Sequence, residues 1–169
     1  DFDLTDLSHV ADKIREIKPD ILVNCAGYTA VDQAEDEEET ANLLNGEVVG
    51  LMASLSKEIG YLLIHISTDY VFDGKSYRPY GEDDPYNAQS MYGKSKIKGE
   101  ENIMVEADRG VIIRTSWLFS AYGKNFVKTM LRLAKEKDEL GVIYDQVGSP
   151  TYAGDLANAI MTIIQHSDE

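Results

Sequence analysis

Basic residues are scarce in this chain: 16 Lys and Arg stand against 30 Asp and Glu in 169 residues, a formal net charge of −14. No Lys or Arg cluster tracks a phosphate backbone, which argues against a nucleic-acid partner and leaves any anionic small ligand to local donors. Cysteine is nearly absent as well. Cys25 stands alone, so no internal disulfide can form, and its place in the apolar run ILVNCAG predicts a buried structural thiol rather than a nucleophile. No stretch approaches the roughly 20 consecutive apolar residues of a membrane helix. The opening DFDLTD has neither the basic start nor the apolar run of a signal peptide, so a soluble, cytoplasmic protein with no membrane partner is expected. Internal repeats and low-complexity linkers are also missing, and 43% hydrophobic residues suit one core.

What the chain does have is alternation. Leu7, Val10, Ala11, Ile14 and Ile17 recur at helical spacing behind a capping Asp6, and Pro19 closes that helix. ILVNCAG reads as a buried strand. A helix is predicted near Glu38 to Ile59, stopped by Gly60, and YLLIHIST follows as a second apolar strand. The acidic run Glu35 to Glu39 reads as a solvated helix start rather than a metal site, since nothing aims its carboxylates at one point. Past a loop from Asp69 to about Ser90, Met91 to Glu106 is rich in helix formers and VIIRTSWLF (Val111 to Phe119) is a third strand. Asn125 to Lys137 is another helix, VIYD a short strand before the turn GSP, and Gly154 to Gln165 a last amphipathic helix.

Strands apolar throughout, separated by helices, imply a parallel sheet covered on both faces: a doubly wound, Rossmann-like α/β fold. Ligands bind such sheets beyond the carboxyl ends of the strands, here NCAGYT, STDY and RTSW.

Tyr92 and Lys96, in MYGKSK, stand four apart on a predicted helix and so share a face. A phenol normally titrates near 10, and an ammonium beside it lowers that value, the arrangement of a tyrosine general acid assisted by lysine. The spacing alone is a weak signal. Its position after a strand ending in Ser67-Thr68-Asp69 adds weight, because the Thr68 hydroxyl could bind the same substrate oxygen; the bland alternative for Thr68 is a strand-end cap. Gly27 either leaves room for a close ligand or serves a turn. Trp117 either stacks on a base or sugar or packs in the core. His65 reads as a packed core histidine with no partner in view, and Asn45 as a plain helix polar residue rather than the support of a kink.

STDYVFDG (Ser67 to Gly74), MYGKSK, RTSWLF (Arg114 to Phe119), NFVKTMLRLAK (Asn125 to Lys135) and DQVGSPT (Asp145 to Thr151) stand together in an order and spacing that resemble the dTDP-4-dehydrorhamnose reductases of the extended short-chain dehydrogenase family. NCAGYTAVDQAE looks like the same family's segment beside the cofactor. The resemblance implies Thr68, Tyr92 and Lys96 as the catalytic trio, with Lys96 also bonding the nicotinamide ribose. It implies Thr68, Asp69 and Trp117 as substrate contacts, and Asp3, Leu4, Gly27, Tyr28 and Thr29 as further cofactor contacts, with no metal.

An intact member opens with a strand, a glycine-rich turn and a helix that cradle the pyrophosphate, whereas this chain has no Gly-x-Gly. The leading βαβ portion and part of the C-terminal substrate region are expected to be missing. Residues 1–169 would then be a partial NAD(P)-binding domain with the start of a substrate-binding region, inactive alone. The implied reaction reduces the C4 keto group of dTDP-4-dehydro-L-rhamnose with NADPH or NADH. A dTDP-sugar is the expected partner, and a homodimer stays open. The rivals are a non-catalytic subunit resembling the regulatory β subunit of methionine adenosyltransferase, and a related sugar-nucleotide epimerase or dehydratase.

Overall fold

In the computed structural model, which describes residues 2–167, the Asp6 carboxylate accepts the His9 N–H at 3.0 Å and so starts α1 (Leu7–Ile17). Such a cap contributes about 1 kcal/mol. Asp1 and the last two residues lie outside the described range. The helix buries Val10, Ala11 and Ile14, as their spacing predicts, and ends at Lys18 in the left-handed conformation. The chain divides into two compact units, Asp1–Arg114 and Thr115–Glu169.

The first unit is built on the strands β1 (Ile21–Asn24), β2 (Leu62–Thr68) and β3 (Gly110–Thr115), in that order across the sheet. β1 and β2 are parallel, with Asn24 opposite His65. Since β1 ends at Asn24, Cys25 falls beyond the strand and is exposed; the expectation of a buried thiol is corrected. The long helix predicted near Glu38 to Ile59 is present in three pieces: α2 (Glu38–Asn42), a widened π turn (Leu43–Glu47) and α3 (Val48–Ile59), which Gly60 stops at φ 95°. α4 (Met91–Glu106) has the predicted bounds, and the Ser90 hydroxyl caps it by accepting the Gly93 N–H at 3.1 Å.

Leu22, Leu63 and Ile112, one from each strand, meet Val10 and Ile14 of α1, Val49 and Met52 of α3, and Ile103 of α4 in a single core. Burying each such side chain stabilises the fold by roughly 1.5–3 kcal/mol. Because side chains alternate along β2, the face that carries Leu63 also carries His65 and Ser67, so the strand delivers polar groups to the helices toward its carboxyl end.

In the second unit, the strand predicted over Val111 to Phe119 proves to be two. β3 stops at Thr115, Trp117 turns the backbone at φ 47°, and β4 (Leu118–Phe119) pairs in parallel with β5 (Thr151–Tyr152). VIYD is not a strand: Val142 and Ile143 are exposed, and pairing starts instead at Thr151. Asn125 caps α5 (Phe126–Glu136), and α6 (Ala153–Gln165) carries Asp155 in its first turn. Among the described residues no helix is long and apolar enough to cross a membrane.

Candidate active site

One stripe of α4, Tyr92, Lys96, Glu100 and Ile103, faces the sheet, with Tyr92 and Lys96 at the amino end and core packing at the other. Glycine lets this helix come close. A Cβ on Gly93 would lie 2.2 Å from the Tyr70 carbonyl oxygen, and one on Gly99 the same distance from the Asn45 carbonyl oxygen.

Thr68 closes β2 and its hydroxyl accepts the Tyr70 N–H at 3.2 Å, so the strand-end cap is real. The same hydroxyl lies near enough to the Tyr92 phenol to favour its charged form, and the Tyr92 ring meets Tyr70 edge-on at 5.5 Å. The capping and ligand readings of Thr68 are therefore compatible. Burial holds the Tyr92 phenol above its ordinary value, with the Thr68 hydrogen bond opposing, so the lowering expected from an adjacent ammonium does not prevail. A phenol kept protonated suits a donor, because an alkoxide formed beside it is the stronger base and takes the proton downhill.

Lys96 is buried, and its Nζ donates to the Ile66 carbonyl at 2.7 Å and lies 3.1 Å from His65 Nε2. Loss of solvent pulls the amine down to about 8, although the Glu100 carboxylate favours the charge. His65 is thus a packed core histidine as expected, but it has partners on both ring nitrogens, since Asn24 Nδ2 is 3.0 Å from Nδ1.

Behind this pair the buried Glu100 is fully engaged: it accepts from the Ser67 hydroxyl, from Tyr86 OH at 2.7 Å and from the Arg114 guanidinium at 2.7 Å. Arg114 also lies over the Phe72 and Tyr86 rings, 5.1 Å from each centroid. The sequence reading passed over Asn24, Glu100 and Tyr86. Only Glu100 had a signal, four residues beyond Lys96 on the same helical face.

Asn45 corrects its reading as a plain helix polar residue. It occupies the π turn, fully buried, where its side chain accepts the Tyr28 N–H at 2.9 Å and donates to the Tyr28 carbonyl and to Ser95 Oγ, each at 3.0 Å. Widened turns of this kind recur at functional sites. Gly27 stands against this side chain. Its Cβ would strike Asn45 Oδ1 at 2.8 Å, so the glycine makes room for this clamp. Thr29 is exposed beside it.

Asp69, half-buried, is raised from its ordinary value by desolvation and accepts the Thr68 hydroxyl at 3.3 Å. The Asp3 carboxylate is taken up by the N–H and hydroxyl of Thr5, and Leu4 packs on the core. In the second unit Trp117 is half-exposed rather than core, with its indole against Gly148. Of the acidic run, Glu35 accepts the Met91 N–H at 2.8 Å and Glu37 accepts Tyr28 OH at 2.9 Å.

The family model described as RmlD substrate binding domain matches residues 1–169. The spore coat polysaccharide biosynthesis protein SpsK of Bacillus subtilis is 48% identical over 163 residues, covering 96% of this chain and 58% of that protein. A dTDP-4-dehydrorhamnose reductase of Sinorhizobium fredii is 49% identical over 162 residues, 96% of this chain and 55% of its own length. The crystal structure of the Bacillus anthracis dTDP-4-dehydrorhamnose reductase in complex with NADP superposes with a TM-score of 0.93 at 43% identity, covering 97% of this chain and 58% of that one. The chain thus spans little more than half the length of the relatives it matches. Matched from end to end, and nearly half identical to members that carry out sugar-nucleotide and polysaccharide biosynthesis by name, the chain belongs to the RmlD substrate binding domain family.

Proposed function

We propose that the protein of which these residues form part is a cytoplasmic NAD(P)H-dependent reductase that converts the C4 ketone of dTDP-4-dehydro-L-rhamnose to the alcohol of dTDP-L-rhamnose. The observation that carries this reading is the meeting of the Thr68 hydroxyl with a protonated, half-buried Tyr92 on the helix that also buries Lys96. Residues 1–169 are then part of the dinucleotide-binding domain together with the start of the substrate-binding region.

The donor set suits the nicotinamide half of a dinucleotide: the Lys96 amine has a hydrogen left after Ile66 and His65, and two hydroxyls stand with it. Lys96 would bind the ribose, with Tyr92 beside it. Asp3, Leu4, Gly27, Tyr28 and Thr29 would follow the rest of the cofactor. The bound cofactor would supply hydride. Thr68 would donate to the carbonyl oxygen, Tyr92 would protonate it as charge builds there, and Asp69 and Trp117 would hold the sugar nucleotide. A second reading, a related dehydratase, draws on Asp69, whose desolvated carboxyl is easier to protonate than usual.

Oxidation of NADPH by the full-length protein with dTDP-4-dehydro-L-rhamnose tests the assignment. Tyr92→Phe should lower kcat by about 10²–10⁴-fold. No oxidation by the unmodified protein overturns the reading, and a dehydrated product would favour the dehydratase.

A further inference from the structure

We propose that Glu100 is a positioning residue: by accepting from Ser67 at the end of β2 and from Arg114 at the end of β3, its carboxylate fixes where α4 sits along the sheet, and with it the point at which Tyr92 meets Thr68. The arrangement around Glu100 stands on geometry, while its use in turnover rests on the reductase reading.

Apolar packing does little to fix α4. Of the six residues that the helix buries, Gly93, Ser95, Lys96, Gly99, Glu100 and Ile103, only Ile103 is large and apolar. Apolar contact is in any case non-directional and tolerates a slide, whereas a hydrogen bond weakens steeply once its angle is lost. The register of α4 on the sheet therefore falls to its polar contacts. Two of these run from the buried stripe to β2. Lys96 reaches the Ile66 carbonyl at 2.7 Å on a flexible four-carbon stem, which can follow a shift of the helix. Glu100 is the stiffer tie.

Its carboxylate is held from three elements at once. It accepts the Ser67 hydroxyl, Tyr86 OH at 2.7 Å, and the Arg114 guanidinium through Nε at 3.1 Å and Nη2 at 2.7 Å. Every partner is a donor, which suits an ionised carboxylate, an acceptor only. Arg114 is itself pinned: Nη1 donates to the Glu82 carbonyl at 3.0 Å, Nη2 donates also to Tyr86 OH at 3.1 Å, and the guanidinium lies over the Phe72 and Tyr86 rings. A planar fork engaged in this way has one pose, and it passes that pose to Glu100.

Ser67 is the residue before Thr68, so the bond that holds α4 also holds the strand end from which the Thr68 hydroxyl projects. Tyr92 lies two turns earlier on the same stripe, about 12 Å along one unbroken helix. A slide of α4 at Glu100 arrives at Tyr92 undiminished. Misplacing a reacting group by about 1 Å costs on the order of 10²-fold in rate.

Ser67→Ala in the full-length protein removes the tie to β2 and leaves Glu100 its other partners. The expected result is a fall in kcat of about 10- to 100-fold, with KM for NADPH and for dTDP-4-dehydro-L-rhamnose within about twofold. A second readout needs no turnover. The 13Cζ resonance of Tyr92 in tyrosine-labelled protein, assigned through Tyr92→Phe, reports the hydrogen bonding of the phenol and should move in Ser67→Ala. Glu100→Asp, one methylene shorter, should move it too, and takes the place of Ser67→Ala if that variant does not fold. Tyr61→Phe is the control: it deletes a buried bond to the Met52 carbonyl at the other end of β2, and should lower the denaturant midpoint while leaving kcat and the Tyr92 resonance as they are. An unmoved Tyr92 resonance or an unchanged kcat in folded Ser67→Ala overturns the proposal, as does an equal loss of kcat in Tyr61→Phe. A resonance that moves in Ser67→Ala, in a protein whose unmodified form reduces no sugar nucleotide, would support the placement of α4 by Glu100 and sink the reductase reading.

Discussion

Beneath α4, loss of solvent and repulsion from Lys96 pull the His65 imidazole down to about 3, which ties the stability of the fold to pH. An unfolded chain takes up this proton near 6.5 and the folded one only near 3, so between those values the unfolded state binds more protons and acid weakens the fold, by up to about 1.4 kcal/mol per pH unit. Urea unfolding of the full-length protein and of His65→Gln, followed from about pH 7 to about pH 4, should show the wild type losing its margin over the variant as pH falls. A constant difference would mean that His65 does not carry the linkage. Residues in the site were readable where they answer to a local rule: Tyr92 and Lys96 share a helical face, and Thr68 closes a strand. His65 was placed in the core correctly, yet its partners were invisible, because Asn24 is aligned with it only by the pairing of two strands 41 residues apart. Cys25 was misjudged for the same kind of reason: the run ILVNCAG does not tell where pairing stops.

At the scale of elements, the placement of Tyr92 and Lys96 depends on how closely α4 approaches its neighbours. Exchanging Gly99 for alanine would gain roughly 0.5–1 kcal/mol of helix propensity. Against this, the new methyl would sit 2.2 Å from the Asn45 carbonyl oxygen, backbone that cannot swing aside as a side chain can, and overpacking of this kind costs about 1–3 kcal/mol. The clash wins. Gly99→Ala in the full-length protein should therefore lower the denaturant midpoint, and since α4 must shift from the π turn to relieve it, turnover should fall as well; an unchanged midpoint would show that the helix has slack. Most elements were legible: α1, β2, α4 and α6 follow from period and caps, which are properties of neighbouring residues. The π turn was not, because Asn45 is drawn out of line by Tyr28, 17 residues away. The break in VIIRTSWLF was not either, since the positive φ falls on Trp117, where no glycine, asparagine or proline marks it.

Across the whole chain, Thr68, Tyr92 and Lys96, the residues proposed for proton transfer, lie at one strand end and on one helix. No Gly-x-Gly occurs in the 169 residues, and β1 forms an outer edge of its sheet among the described residues. Apolar side chains are also open to solvent: α5 buries none of its residues, Phe126 is 61% and Leu131 63% exposed, and Ile143 is 67% exposed. Runs of exposed apolar surface on soluble chains are normally covered by further protein, and an unpaired strand edge invites association. A net charge of −14 opposes aggregation without covering either. The 169-residue chain produced alone should thus bind a hydrophobic dye and should oxidise no NADPH with dTDP-4-dehydro-L-rhamnose, while the full-length protein oxidises it and leaves the dye dark. The pairing of the two assays matters. Dye binding without turnover places the missing capacity in the remainder of the protein, whereas turnover by the short chain would mean that Lys96, Tyr92 and their neighbours hold the dinucleotide without a glycine-rich cradle.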